Sequence, residues 1–180
     1  MNLEIDTYLV ELIKKAAKQA IVKLFDEHKE NFYYCSLITD GEGHCPVISA
    51  WSEEALDEIL SQEEDAEEVR LDYKWSYADS PYYAYGETFF AEVEKVFDER
   101  MEDIESDDDI QREIDLRLNC MERAMADLDK EGLFGKGKKR KRIVINAEIM
   151  PPDYGNTERG KRLNPRKALV EWLEEIAEEE

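Results

Sequence analysis

Asn31-Phe32-Tyr33-Tyr34-Cys35-Ser36-Leu37-Ile38-Thr39-Asp40-Gly41-Glu42-Gly43-His44-Cys45-Pro46-Val47-Ile48-Ser49-Ala50 is the stretch on which the fold turns. Asn31 to Thr39 is an aromatic and β-branched run of the kind that suits a strand. Asp40-Gly41-Glu42-Gly43 supplies a turn, because its two glycines reach positive φ without steric cost. Cys45 to Ala50 is a second strand, so residues 32–50 are predicted to form a β-hairpin. Upstream, Leu9, Ile13, Ala16, Ala17, Ala20 and Leu24 recur at helical spacing, opposite Lys14, Lys15 and Lys18, giving a helix from Asp6 to about Phe25. Downstream, Ser52 caps a short helix that ends near Leu60, with Glu53 and Glu54 placed favourably in its first turn.

Beyond an acidic loop at 62–68, Val69 to Trp75 is expected to be extended, and Ser76 to Gly86 irregular and aromatic. Phe89, Phe90, Val93, Val96, Phe97 and Met101 mark a helix from about Glu87 to Ile104. Ser106 or Asp107 caps another, with the stripe Ile110, Ile114, Leu118, Met121, Met125 and Leu128 and a stop at Gly132. Arg142 to Met150 alternates as a strand through Ile143, Ile145, Ala147 and Ile149, until Pro151-Pro152 ends it. Asn164-Pro165 is expected to open a last helix carrying Ala168, Leu169, Trp172, Leu173 and Ile176 on one face. The prediction is a single α+β domain over residues 1–180, a small, mainly antiparallel sheet packed against several helices. It includes a basic loop at 135–142 and a C-terminal helix at 165–178.

The chain has 24 Lys+Arg against 45 Asp+Glu, a formal net charge of -21, while 42% hydrophobic residues suffice for a core. So acidic a surface repels phosphates and anionic headgroups, which argues against direct nucleic-acid binding and against membrane binding. No run approaches ~18 apolar residues. Met1 to Val10, with Glu4 and Asp6, lacks the pattern of a secretory leader. Cys35, Cys45 and Cys120 show no C-x-x-C spacing and read as reduced thiols, so the expected compartment is the cytoplasm.

The charge is uneven. Residues 53–68 hold nine acidic and no basic side chains, and residues 92–115 hold twelve acidic and three basic ones. Lys136-Gly137-Lys138-Lys139-Arg140-Lys141-Arg142 carries six cations; without them 18 basic residues face 45 acidic ones, a net of -27. Such a run reads either as a phosphate or nuclear-targeting patch or as a flexible loop held by the chain's own negative field.

Catalytic motifs are lacking. His28 and His44 are the only histidines, and no H-E-x-x-H, G-x-S-x-G, Walker or G-x-G-x-x-G pattern occurs. Asp107-Asp108-Asp109 lacks the glycine and terminal glutamate of a calcium loop, and Cys35, His44 and Cys45 make at most a weak metal set. No catalytic residue, cofactor or metal is therefore assigned. The candidates for partner binding are the tyrosines Tyr77, Tyr82, Tyr83 and Tyr85 and the carboxylates Glu99, Glu102, Asp103, Asp107, Asp108 and Asp109. Tyrosine joins an apolar face to a polar tip, which suits an interface as well as a core edge, and a carboxylate face attracts a cationic partner as readily as water.

The hairpin Phe32 to Asp40 running into Cys45-Pro46 and Ser52-Glu53-Glu54-Ala55-Leu56 resembles the bacterial family called domain of unknown function 4303. Asp72-Tyr73-Lys74-Trp75-Ser76, Ala126 to Gly135 and Ile143-Val144-Ile145 carry the same resemblance, which spans the first helix to about Asp153. The basic loop and the acidic final helix depart from it. Some members of that family resemble immunity proteins encoded beside toxins, which implies a non-catalytic acidic protein that neutralises a cognate toxin, or another basic protein, by direct binding. Alternatives are a small carboxylate- or metal-dependent hydrolase or nucleotide-handling enzyme, and an adaptor that self-associates, as a homodimer, through its aromatic segment.

Overall fold

The computed structural model describes residues 4–102 and 104–178. Helix α1 (Thr7–Glu27) starts at Asp6, whose carboxylate accepts the N–H groups of Tyr8 and Leu9 at 2.9 and 3.3 Å. Its predicted stripe is buried from Leu9 to Leu24. The expected hairpin follows as β1 (Phe32–Asp40) and β2 (Val47–Ser52), paired antiparallel. Gly43 in its turn has φ +70°, and a Cβ there would lie 2.8 Å from Ile114 Cγ1, so backbone conformation and packing both demand glycine. Ser52 caps α2 (Glu53–Leu60), accepting the Ala55 N–H at 3.0 Å.

The segment predicted as extended, Val69 to Trp75, is helical instead: α3 (Ala66–Lys74) occupies all of it but Trp75, which caps the helix. Ala66, Val69 and Tyr73 lean on the core at helical spacing, a sparse stripe masked in the sequence by the acidic residues around it. The next predicted helix is two pieces, a 3₁₀ turn at Glu87–Phe90 and α4 (Ala91–Met101). Ser106 caps α5 (Asp107–Glu131), accepting the Asp109 N–H at 3.2 Å, and the helix ends at Gly132 in the left-handed conformation.

Strand β3 (Val144–Met150) lies beside β1 and parallel to it, in the sheet order β2-β1-β3. The sheet is therefore mixed rather than mainly antiparallel, because the chain returns through the α2–α5 helices, the long crossover that parallel pairing requires. The last helix also differs from expectation: α6 (Tyr154–Leu163) precedes a short α7 (Val170–Glu175). Asn164 closes α6 instead of opening a helix at 165, because its side chain is spent on β3.

Among the described residues no strand lies beside the outer edge of β3, and its backbone groups still need partners. Asn164 gives Oδ1 to the Ile145 N–H at 2.9 Å and donates Nδ2 to the Ile145 carbonyl at 2.6 Å. Asn156 repeats this pair of hydrogen bonds on Ile149, accepting the Ile149 N–H and donating to its carbonyl, both at 2.9 Å, and Arg159 Nε donates to the Ala147 carbonyl at 2.6 Å. Three side chains of α6 and its cap thus stand in for a fourth strand.

Alternation divides the sheet into two faces. Cys35, Leu37, Ile48, Ala50, Ile145 and Ala147 are buried on the apolar one, in a single core with the inner faces of α1 and α5. Tyr34, Ser36, Ser49, Trp51, Asn146 and Glu148 share the other, also buried but largely polar. Among the described residues no helix is long and apolar enough to cross a membrane.

Candidate functional site

The polar sheet face is covered by the end of α3, the segment after it and α7. Trp51 Nε1 donates to the Ser76 carbonyl at 2.6 Å, Ser49 Oγ to the Tyr77 carbonyl at 2.8 Å, and Tyr33 to the Lys74 carbonyl at 2.6 Å. Trp75 meets Tyr33 and Tyr34 edge-on, with ring centroids 5.3 and 6.0 Å apart. Helix α7 is latched to this segment: buried Lys74 pairs with Glu171 at 2.6 Å and Glu175 at 2.8 Å, and Trp75 Nε1 donates to Glu175 at 2.6 Å.

Between cover and sheet lies a cavity of about 310 Å³. Trp75, Tyr77, Met150 and Trp172 contribute its apolar walls, Glu148, Asn156 and Thr157 its polar ones, and the exposed Leu71, Asp72, Pro152, Ile176 and Glu178 stand at its mouth. Glu148, only 5% exposed, accepts from the Tyr34 hydroxyl at 3.0 Å through Oε2, whereas its Oε1 is buried without a partner. Trp172, 2% exposed, has a buried Nε1 that is likewise unpartnered. A tight approach locates this indole, since a Cβ on Gly160 would lie 3.1 Å from Trp172 Cη2.

Burial pushes the Glu148 carboxyl above the usual carboxylate range, and the Tyr34 hydroxyl, the Asn146 side chain and the Arg159 charge offset this only in part. Arg159 is itself pushed below the ordinary guanidinium range by burial. A carboxyl that resists ionisation can donate and accept a hydrogen bond at once, and a perturbed acid at a cavity wall is a physical signature of a functional site.

Of the sequence candidates, Tyr77 lines this cavity. Tyr83, 47% exposed, lies 6.0 Å from it by ring centroids. Tyr82 is buried and its hydroxyl donates to Glu30 at 2.7 Å, so it serves the interior rather than a surface. Tyr85 is half-buried, bonded to Glu27 and beneath Lys23. Glu99, Glu102, Asp107, Asp108 and Asp109 are exposed on α4, α5 and the turn between them; Asp103 lies outside the described residues. Cys35 and His44 do not converge: Cys35 is buried on the apolar face, while His44 is exposed and bonded to Asp40 at 2.6 Å. Among the described residues no three His, Cys, Asp or Glu side chains are placed to hold a metal ion.

The basic run is not uniformly solvated. Arg140 is buried, paired with Asp129 and donating to the carbonyls of Ile143 and Leu163 at 2.8 and 3.0 Å. Glu148 escapes sequence reasoning because strand alternation reads Asn146 and Glu148 as solvent-facing, and only the cover buries them. Trp172 is legible only as part of an apolar helix face, not as a wall of this cavity.

No curated protein and no solved structure matches the chain. Residues 13–165 match the family model described as Domain of unknown function (DUF4303), so that α7, with Trp172, lies beyond the matched region. With the match extending over most of its length, the chain belongs to the DUF4303 family.

Proposed function

We propose that this chain is a non-catalytic binding protein for a basic protein partner, and that in a bacterial setting it neutralises a toxin by occupying it. The supporting observation is the state of the carboxylates on α4 and α5. Arg100 is consumed internally by Glu113 and Asp6, Arg112 by Asp109, and Lys95 by Glu99. Exposed Glu94, Asp98, Asp107 and Asp108 are left without a described lysine or arginine within ion-pair distance. Uncompensated like charge disfavours the folded chain, and a cationic surface would relieve it while accelerating encounter.

The experiment is capture and protection. The full chain is co-expressed with the product of the neighbouring gene, and complex formation and cell survival are scored. A one-to-one complex that weakens with salt and in an Asp107→Lys/Asp108→Lys variant is expected. Failure to bind and to protect would refute the reading.

A further inference from the structure

We propose that the cavity between β3, α3, α6 and α7 binds a small organic cation, an apolar body that enters the cavity and an ammonium or guanidinium head that stays at the mouth. The exposed part of the lining carries the inference. Most of it is apolar: Leu71 is 54% and Ile176 37% exposed, Pro152 is exposed, and Tyr77 and Met150 are half-buried. Its charged members are two exposed acids, Asp72 and Glu178. No lysine, arginine or histidine lines the cavity, and the cations of α3 are held elsewhere, Lys74 by Glu171 and Glu175 and Arg70 by Asp57. Apolar side chains left in water around a concave surface mark a ligand site, and 310 Å³ is at the small end of the roughly 300–1,000 Å³ that such sites occupy.

Charge and apolarity together narrow the class. An anion would meet Asp72 and Glu178 with no lining cation to offset them. A metal ion finds no ligand set, because among the described residues no three His, Cys, Asp or Glu side chains are placed to hold one. A wholly polar cation would leave Leu71, Tyr77, Met150 and Ile176 in water and gain only exposed ion pairs, which are weak. An apolar body with a cationic head covers those side chains while the head remains hydrated beside the acids, so no charge is taken out of water. The buried Glu148, Asn156 and Thr157 form the floor and are not asked to touch the ligand. Trp172, Ile176 and Glu178 lie beyond the matched residues 13–165, so membership of the family does not by itself imply this site.

The test uses the full chain and a matched set of probes. Phenylbutylamine is the ligand probe; phenylbutanol has the same body without charge, phenylbutyrate the opposite charge, and butylamine the head without the ring. Tryptophan fluorescence reports binding, because Trp75 and Trp172 are in the wall, and calorimetry gives stoichiometry. Saturable one-to-one binding of phenylbutylamine is expected. At low salt it should be roughly three- to tenfold tighter than phenylbutanol and about tenfold or more tighter than phenylbutyrate or butylamine. High salt should draw the amine and the alcohol together. Asp72→Asn/Glu178→Gln should lower the amine to the affinity of the alcohol and leave the alcohol unchanged, whereas Leu71→Ser and Ile176→Ser should weaken both. These positions are exposed, and Leu71→Ser serves alone should Ile176→Ser loosen α7. No saturable binding of phenylbutylamine would overturn the site, as would phenylbutanol or phenylbutyrate binding as tightly at low salt. So would an amine preference that survives Asp72→Asn/Glu178→Gln, or unchanged affinities in Leu71→Ser. Probe binding should persist in Asp107→Lys/Asp108→Lys, because the α4–α5 carboxylates do not line the cavity, so this proposal and the function proposed above fail separately.

Discussion

The Tyr34 hydroxyl donates to Glu148 Oε2 at 3.0 Å from the neighbouring parallel strand, while Oε1 of the same carboxyl has no partner. One strand therefore half-satisfies a buried acid on the other. A group in this position costs stability when ionised, which makes its titration a direct probe of its burial.

The sign of that titration is defined. The folded carboxyl lies above its unfolded value, so the folded chain holds its proton to higher pH. Below the unfolded value both states are protonated and Glu148 contributes no pH dependence. As pH rises from there towards the folded value it progressively destabilises the fold. Glu148→Gln should remove this component, so the variant gains stability on wild type as pH rises from the ordinary carboxylate range through neutrality, read by urea denaturation. A constant difference across that range would show that Glu148 ionises freely.

Glu175 should run the other way. Burial opposes its ionisation, but the Lys74 and Trp75 hydrogen bonds outweigh it and hold the carboxyl below the usual range. Its contribution is present above the unfolded value and lost as pH falls through the folded one. Glu175→Gln is expected to destabilise by about 1–2 kcal/mol at neutral pH, less at low pH, and to shift tryptophan emission to the red as α7 loosens. Unchanged emission would mean that α7 is held by other contacts.

Asn164 tests the substitute strand. Asn164→Ala removes both bonds to Ile145 and the one from Arg140, at 2.9, 2.6 and 3.0 Å, leaving buried backbone groups unpaired. A loss of about 2–4 kcal/mol is expected, with faster hydrogen exchange at the Ile145 amide than at amides bonded between β1 and β2. Uniform acceleration of both sets would indicate global destabilisation without a local role.

The basic run should split by residue. Arg140→Ala is expected to cost about 2–4 kcal/mol, because it strips partners from Asp129 and the Ile143 and Leu163 carbonyls. Lys138→Ala and Lys141→Ala, both exposed, should stay within about 0.5 kcal/mol of wild type. Equal effects would contradict the buried position of Arg140.

Much of the fold was legible in the sequence. The stripes of α1 and α5, the caps at Ser52 and Ser106, the stop at Gly132 and the glycine turn of the hairpin are local signals and appear where expected. The two missed helices share one cause, a scarcity of apolar residues on the inward side. Helix α3 was hidden because few apolar residues mark its buried side, and α6 because Asn156, Arg159 and Asn164 bury polar side chains in bonds to β3. Apolar periodicity is blind to helices whose inward face is polar.

The site was less legible. Tyr77 is among the partner-binding candidates, as an aromatic in a tyrosine-rich segment, but the other residues at the cavity come from positions 71 to 178 and share no motif. By itself the sequence determined the elements with a single apolar face and the acidic surface, because periodicity, capping and charge act over a few residues, and the family through the likeness of its segments. Tertiary structure alone decided that Glu148 and Trp172 are buried beside one cavity with a polar atom each unpaired. Burial depends on what covers a strand, and that cover is contributed by segments remote in sequence, α3 with the residues after it and α7.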